Sequence, residues 1–112
     1  MTLITRFEFP LAKAIYLLNR ATEPGLGGDK RKFWREIMGF EEPEAIREAI
    51  LAKVSLEMLQ LQDTTEYGTR YRAYIEIIGP SGVSHWIRTV WIVLSNEEVA
   101  RFVTAIPARN ED

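Results

Sequence analysis

One arginine sits where a chain least easily holds a charge. Arg88 falls in the middle of His85-Trp86-Ile87-Arg88-Thr89-Val90-Trp91-Ile92-Val93-Leu94, whose tryptophans and β-branched side chains predict a buried strand. A guanidinium buried without partners is costly, so Arg88 must reach a carboxylate, several carbonyls or a wet cleft. Glu57 and Glu76 are candidate partners, which would make Arg88 structural. His85, the single histidine, opens the same run. An imidazole there can move a proton near neutral pH, or serve as an ordinary structural side chain. Tyr67, in the turn before Gly68, offers a hydroxyl to a ligand or simply packs the turn. Arg70, Arg72 and Arg88 converge if they share a sheet face, and Thr104 joins them if the register of the last strand allows. One sequence does not fix that parity.

A second cationic group precedes the strands. Arg20, Lys30, Arg31, Lys32 and Arg35 face only Glu23 and Asp29 across Arg20 to Arg35. Glu36, Glu41, Glu42, Glu44 and Glu48 then reverse the balance against Arg47. On charge alone, two ordinary solvated helix faces are the plainer explanation, and local binding of a polyanion is the alternative. Gly25-Leu26-Gly27-Gly28-Asp29-Lys30 resembles a phosphate loop only on the surface. No strand precedes it, the spacing is wrong, and Arg31 stands where a Ser or Thr should follow the lysine. It does deliver Lys30 and Lys32 to a helix N-terminus, where backbone N–H groups favour anions, so both are candidate phosphate contacts together with Arg70.

Composition excludes several kinds of chemistry. The 112 residues contain no cysteine and one histidine, which removes thiolate catalysis, disulfides, the usual structural zinc sites and multi-histidine metal sites. Oxygen-only metal sites stay open to this composition, but no run resembles an EF-hand loop, and neither metal nor cofactor is expected. No carboxylate pair stands out for acid–base work. No apolar run approaches a membrane span and the N-terminus lacks a signal pattern, so a cytoplasmic protein without a membrane partner is expected. A net charge of −2 argues against broad nucleic-acid affinity while leaving a local basic edge available.

The elements that must position these residues follow from pattern. Phe7 and Phe9 pin a short mixed N-terminus. Leu11, Ala14, Ile15 and Leu18 predict a helix over 11–19, and a glycine-rich loop follows. Asp29 suits the N-cap of a helix over 30–38 with Gly39 as its C′ residue. Pro43 opens a third helix ending near Val54. Strands are expected from Leu56 to about Gln62, Thr69 to Ile78, Val83 to Leu94 and Arg101 to Ile106. In the second of these, Tyr71, Ala73, Ile75 and Ile77 separate from Arg70, Arg72, Tyr74 and Glu76, a half-buried pattern. The expectation is one α+β domain over 1–107, three N-terminal helices packed on a four-stranded antiparallel β-meander, with a disordered tail at 108–112.

Several stretches carry a resemblance: Tyr16-Leu17-Leu18-Asn19, Lys30-Arg31-Lys32-Phe33-Trp34 leading to Gly39-Phe40, Thr65-Glu66-Tyr67-Gly68-Thr69-Arg70-Tyr71, Arg88-Thr89-Val90-Trp91, and Arg101-Phe102-Val103-Thr104-Ala105-Ile106-Pro107. Together they resemble an uncharacterised bacterial small-domain family. That family usually has Lys-Ala-Arg-Phe-Phe in the basic helix and Val-Thr-Ala-Tyr-Pro in the last strand. Here Lys32 replaces the arginine and Ile106 the tyrosine, which removes the aromatic at that strand end. The layout is similar to ribonuclease toxins of the barnase, EndoU, colicin and RelE type. That likeness implies metal-independent RNA cleavage, by attack of the 2′-hydroxyl on the adjacent phosphate. In such a scheme Lys30 and Lys32 hold phosphates, Arg88 stabilises the phosphorane, His85 or Tyr67 moves protons, and Thr104 orients the substrate or a general acid. RNA and a cognate inhibitor are the partners so implied. The alternative is a non-enzymatic interaction protein: an antitoxin, an immunity partner or an adaptor. The acidic 41–48 segment and the lone histidine favour it.

Overall fold

The computed structural model describes residues 4–19 and 32–108. Five strands form one mixed sheet: β1 (Arg6–Glu8), β2 (Gln60–Thr64), β3 (Gly68–Ile78), β4 (Ser84–Leu94) and β5 (Val99–Pro107), in the order β1-β5-β4-β3-β2. Helix α1 spans Leu11–Asn19, a π-helical segment Lys32–Ile37, and α2 Pro43–Lys53. Strands β2 to β5 pair antiparallel in sequence order, whereas β1 lies parallel to β5.

The four-stranded antiparallel meander is therefore corrected to a five-stranded mixed sheet, while the α+β class holds. The missed strand has only three residues, too few for periodicity to reveal. Its support comes from distant residues. Thr5 N–H donates to Glu98 C=O at 2.8 Å. The Glu8 carboxylate accepts from Arg101 Nη1 at 2.9 Å, and Phe7 sets its ring edge-on to Trp91 at 4.9 Å. Other strand starts move as well. Leu56–Met58 is a single 3-10 turn, so β2 begins only at Gln60, and β5 begins at Val99, two residues before the expected Arg101.

The helical segments bury one face of the sheet. Ala73, Ile75 and Ile77 of β3, Ile87, Trp91 and Val93 of β4 and Phe102 and Ala105 of β5 join Leu17, Leu18, Trp34, Met38, Ile46 and Ile50 in the core. Phe9 stacks on Phe102 with ring centroids 3.8 Å apart. Thr89 is the one fully buried polar side chain among the described residues. Its hydroxyl donates to Ala73 C=O at 2.8 Å and accepts from Trp91 Nε1 at 2.9 Å, so both groups are satisfied where an orphan would be costly.

Two glycines fix how the helices meet the β3–β4 turn. Gly39 has φ +84°, which suits its place after the π-helical segment. A Cβ on Gly79 would lie 2.1 Å from Met38 O, so only glycine lets the two backbones approach. Ser81 closes the contact, its N–H donating to Met38 C=O at 3.0 Å and its hydroxyl to Ile37 C=O at 2.8 Å. At the far end Ala108, which the sequence places in the tail, is buried, and its N–H donates to Trp86 C=O at 2.8 Å.

Candidate functional site

Strand pairing settles which side chains share a face. Directly opposed residues point the same way, and neighbours along a strand point oppositely. Tyr74 opposes Arg88, which opposes Ile106; Arg72 opposes Val90, which opposes Thr104; Arg70 opposes Ile92, which opposes Arg101. All nine therefore lie on one face. Val90 identifies it as the face away from the helices, because it is 5% exposed yet stands outside the core cluster. The convergence of Arg70, Arg72, Arg88 and Thr104 is thus realised in the register. A bulge between Val90 and Trp91 is what keeps Thr104 in step, with Val103 as the extra residue of β5.

The arginines on this face are not equivalent. Arg70 grips Asp63 through two hydrogen bonds, Nε to Oδ1 at 2.7 Å and Nη2 to Oδ2. That hydrogen bonding holds the Asp63 carboxyl below the usual carboxylate range and raises Arg70 in turn. Arg101 is held by Glu97 and Glu8, with Nε to Glu97 Oε1 at 3.1 Å, and its affinity for its proton rises, chiefly through the Glu97 hydrogen bond. Arg72 and Arg88 differ. Each buries its Nε with no hydrogen-bond partner, and no ion pair reaches either guanidinium among the described residues. Glu57 and Glu76, the two candidate partners for Arg88, instead accept from Ser55 Oγ at 3.3 Å and Ser84 Oγ at 2.9 Å. The two free arginines are diagonal neighbours on adjacent strands, so their stems start about 7–8 Å apart.

The remaining candidates stand elsewhere. His85 alternates with Arg88 and faces the helices. Its ring meets Phe33 edge-on at 5.1 Å, and its Nδ1 lies 3.1 Å from Trp86 O. Tyr67 caps the β2–β3 turn with 69% of its surface exposed. Neighbouring Gly68 opposes Leu94, six residues along β4 from Arg88, or about 20 Å at strand rise. Lys32 is exposed at the start of the π-helical segment, on the His85 side. Lys30, Asp29 and the glycine-rich loop lie outside the described residues. Thr104 also borders a hollow of about 540 Å³ between α1 and β5, lined by Lys13, Tyr16, Leu17, Phe102 and Val103 among others. Among the described residues no group of His, Asp or Glu side chains has the arrangement of a metal site. No described helix is long and apolar enough to cross a membrane.

Sequence reasoning missed Trp86. Two residues before Arg88 and opposed to Glu76, it shares the arginine face and is 41% exposed. Counting by twos back from Arg88 would have found it.

The model of a domain of unknown function, DUF6883, matches residues 11–109. The chain belongs to this family. The match takes in α1, α2 and β2 to β5 but not β1, so the parallel edge strand precedes the segment that defines the DUF6883 domain. No curated protein matches the sequence. Among solved structures the fold is similar to a chain from a contact-dependent growth inhibition toxin–immunity protein complex of Klebsiella pneumoniae 342. The TM-score is 0.68 at 21% identity, covering 89% of this chain and 98% of that one. At that identity the likeness is one of fold.

Proposed function

We propose that this domain is the protein-binding member of a toxin–immunity pair, and that the sheet face no described helix covers meets the partner. The observation that carries the reading is the parity of β4. Arg88 stands on the face away from the described helices and His85 on the helix-packed face, so the only imidazole cannot serve a substrate held at Arg88. Tyr67, the other proton carrier expected from the sequence, is a strand length away. Around Arg88 on this face stand Arg72, Tyr74, Trp86, Val90 and Ile106, with Glu76 at the edge. Arg and aromatic side chains are among those enriched at the centres of protein interfaces. The fold likeness, spanning nearly all of a chain from a toxin–immunity complex, supports the same reading.

A second reading, a metal-independent endoribonuclease of toxin type, draws on Arg72, Arg88 and Thr104 lying on one face, where they could hold a phosphodiester. Neither proton carrier expected from the sequence, His85 or Tyr67, stands beside them; the ionisable neighbours on the face are Glu76 and Tyr74. Coexpression with the products of the reading frames that flank its gene separates the two. The first reading expects one flanking product to copurify at equal stoichiometry, and growth arrest by one member of the pair to be relieved by the other. Growth arrest by this chain alone, abolished by Arg88→Ala, would favour the second.

A further inference from the structure

Every other described arginine is engaged. Arg6 pairs with Glu8, Arg47 donates to Phe9 C=O, Arg70 holds Asp63, Arg101 holds Glu97 and Glu8, and Arg35 has its own contact. Arg72 and Arg88 alone among them keep a buried, unsatisfied Nε. A buried donor without an acceptor is costly, and two like charges on diagonal positions of a sheet add repulsion. Both penalties are removed by one kind of guest: an oxyanion seated over Val90, accepting from both guanidinium groups.

We propose that Arg72 and Arg88 form a two-arginine clamp for a carboxylate side chain of an acidic segment on the partner protein. This rests on the pair-member reading above and adds the chemistry of the contact. Charge complementarity commits the site to an anion, and the surroundings choose the anion. The two cations stand among Val90, Ile92, Ile106, Tyr74 and Trp86 rather than in a cationic track. The next charges on the face are Glu76, Arg70 and Arg101. Glu76 is an exposed carboxylate diagonal to Arg88 that accepts from Ser84 Oγ and makes no ion pair with it. Arg70 and Arg101 are already neutralised by carboxylates. A nucleic-acid strand carries a charge at every nucleotide and binds along grooves of several cations. A single Asp or Glu surrounded by apolar partner side chains fits two cations in an apolar setting. Arg is suited to it, since its planar fork matches a carboxylate in bidentate fashion. Trp86 and Tyr74 then supply the apolar rim that excludes water from the clamp.

The test has two arms. In the first, the arginine Nε–H resonances of the full chain are followed by ¹⁵N NMR while N-acetyl tri-glutamate amide, and separately hexauridylate, is added at low salt. The clamp predicts saturable shifts of the Arg72 and Arg88 signals together, with Arg70 and Arg101 still, and with the peptide acting at lower concentration than the RNA. Stronger action by hexauridylate, or no shift with either probe, overturns it. In the second arm, affinity for the copurifying flanking product is measured for the parent, Arg72→Gln and Arg88→Gln, each checked by thermal melting. A loss of about tenfold or more in each variant is expected for a desolvated charge pair. If the partner binds both variants within about twofold of the parent, the clamp is wrong and the pair-member reading stands. If no partner forms a complex, that reading fails, and the NMR arm still decides the anion site.

Discussion

Thr89→Val probes how the central strand is held in place to present Arg88. The Thr89 hydroxyl is fully buried, donates to Ala73 C=O on β3 and accepts from Trp91 Nε1. Valine keeps the branched shape while removing the oxygen, so the main loss is polar. The indole N–H of Trp91, with no exposed surface, is left without an acceptor, and such an orphan costs about 1–3 kcal/mol. The Ala73 carbonyl loses its Thr89 donor as well, which places the effect toward the upper half of that range. For a domain of this size each kcal/mol moves the melting temperature by about 4 °C, so the variant should melt about 6–12 °C below the parent. Circular dichroism melts and urea titrations read this directly. The urea midpoint should fall with an unchanged slope, because the folded state keeps its compactness. A Thr89→Val, Trp91→Phe cycle checks the mechanism. With the indole N–H gone, Thr89→Val should cost clearly less than it does alone. A melting temperature within about 1 °C of the parent would refute the reasoning.

Other consequences are quickly measured. Gly79→Ala drives a Cβ to within 2.1 Å of Met38 O. It should lower stability by about 1–3 kcal/mol in urea unfolding, as forced overpacking does. Asp63 is held below the usual carboxylate range by its Arg70 hydrogen bond, so its folded pKa lies under its unfolded one. Its contribution is present above the unfolded pKa and is lost as pH falls through the folded value. Urea midpoints taken from pH 6 down to pH 3 should therefore drop less for Asp63→Asn than for the parent. Glu8→Gln removes a half-exposed pair with Arg101 and should change global stability by under about 1 kcal/mol. Hydrogen exchange at Thr5 should nevertheless quicken, since its N–H bond to Glu98 belongs to the same short edge.

Much of this molecule was legible in its sequence because periodicity is strongest where elements are long. The apolar spacing of 11–19 and Pro43 at a helix start gave α1 and α2. The alternation of Tyr71, Ala73, Ile75 and Ile77 with Arg70, Arg72, Tyr74 and Glu76 gave the faces of β3. β1 stayed hidden for the opposite reason. Three residues carry no period, and their pairing depends on Arg101 and Glu98, far along the chain. The convergence of Arg72, Arg88 and Thr104 turned on register. A bulge at Val90 and Trp91 decides it, and no local signal announces a bulge. Separating His85 from Arg88 needed only parity within one strand. The expectation of a buried strand was met in part: one face of β4 is core, while the other gathers Trp86 and Arg88.

The central claim is that the face bearing Arg88 binds a protein and does not cut RNA. Incubating the purified chain with total cellular RNA in EDTA, beside Arg88→Ala, tests this most directly. The account predicts intact RNA with both proteins, at concentrations where the parent binds its flanking-frame partner. Fragments produced by the parent and absent with Arg88→Ala would contradict it and make Arg88 a catalytic residue.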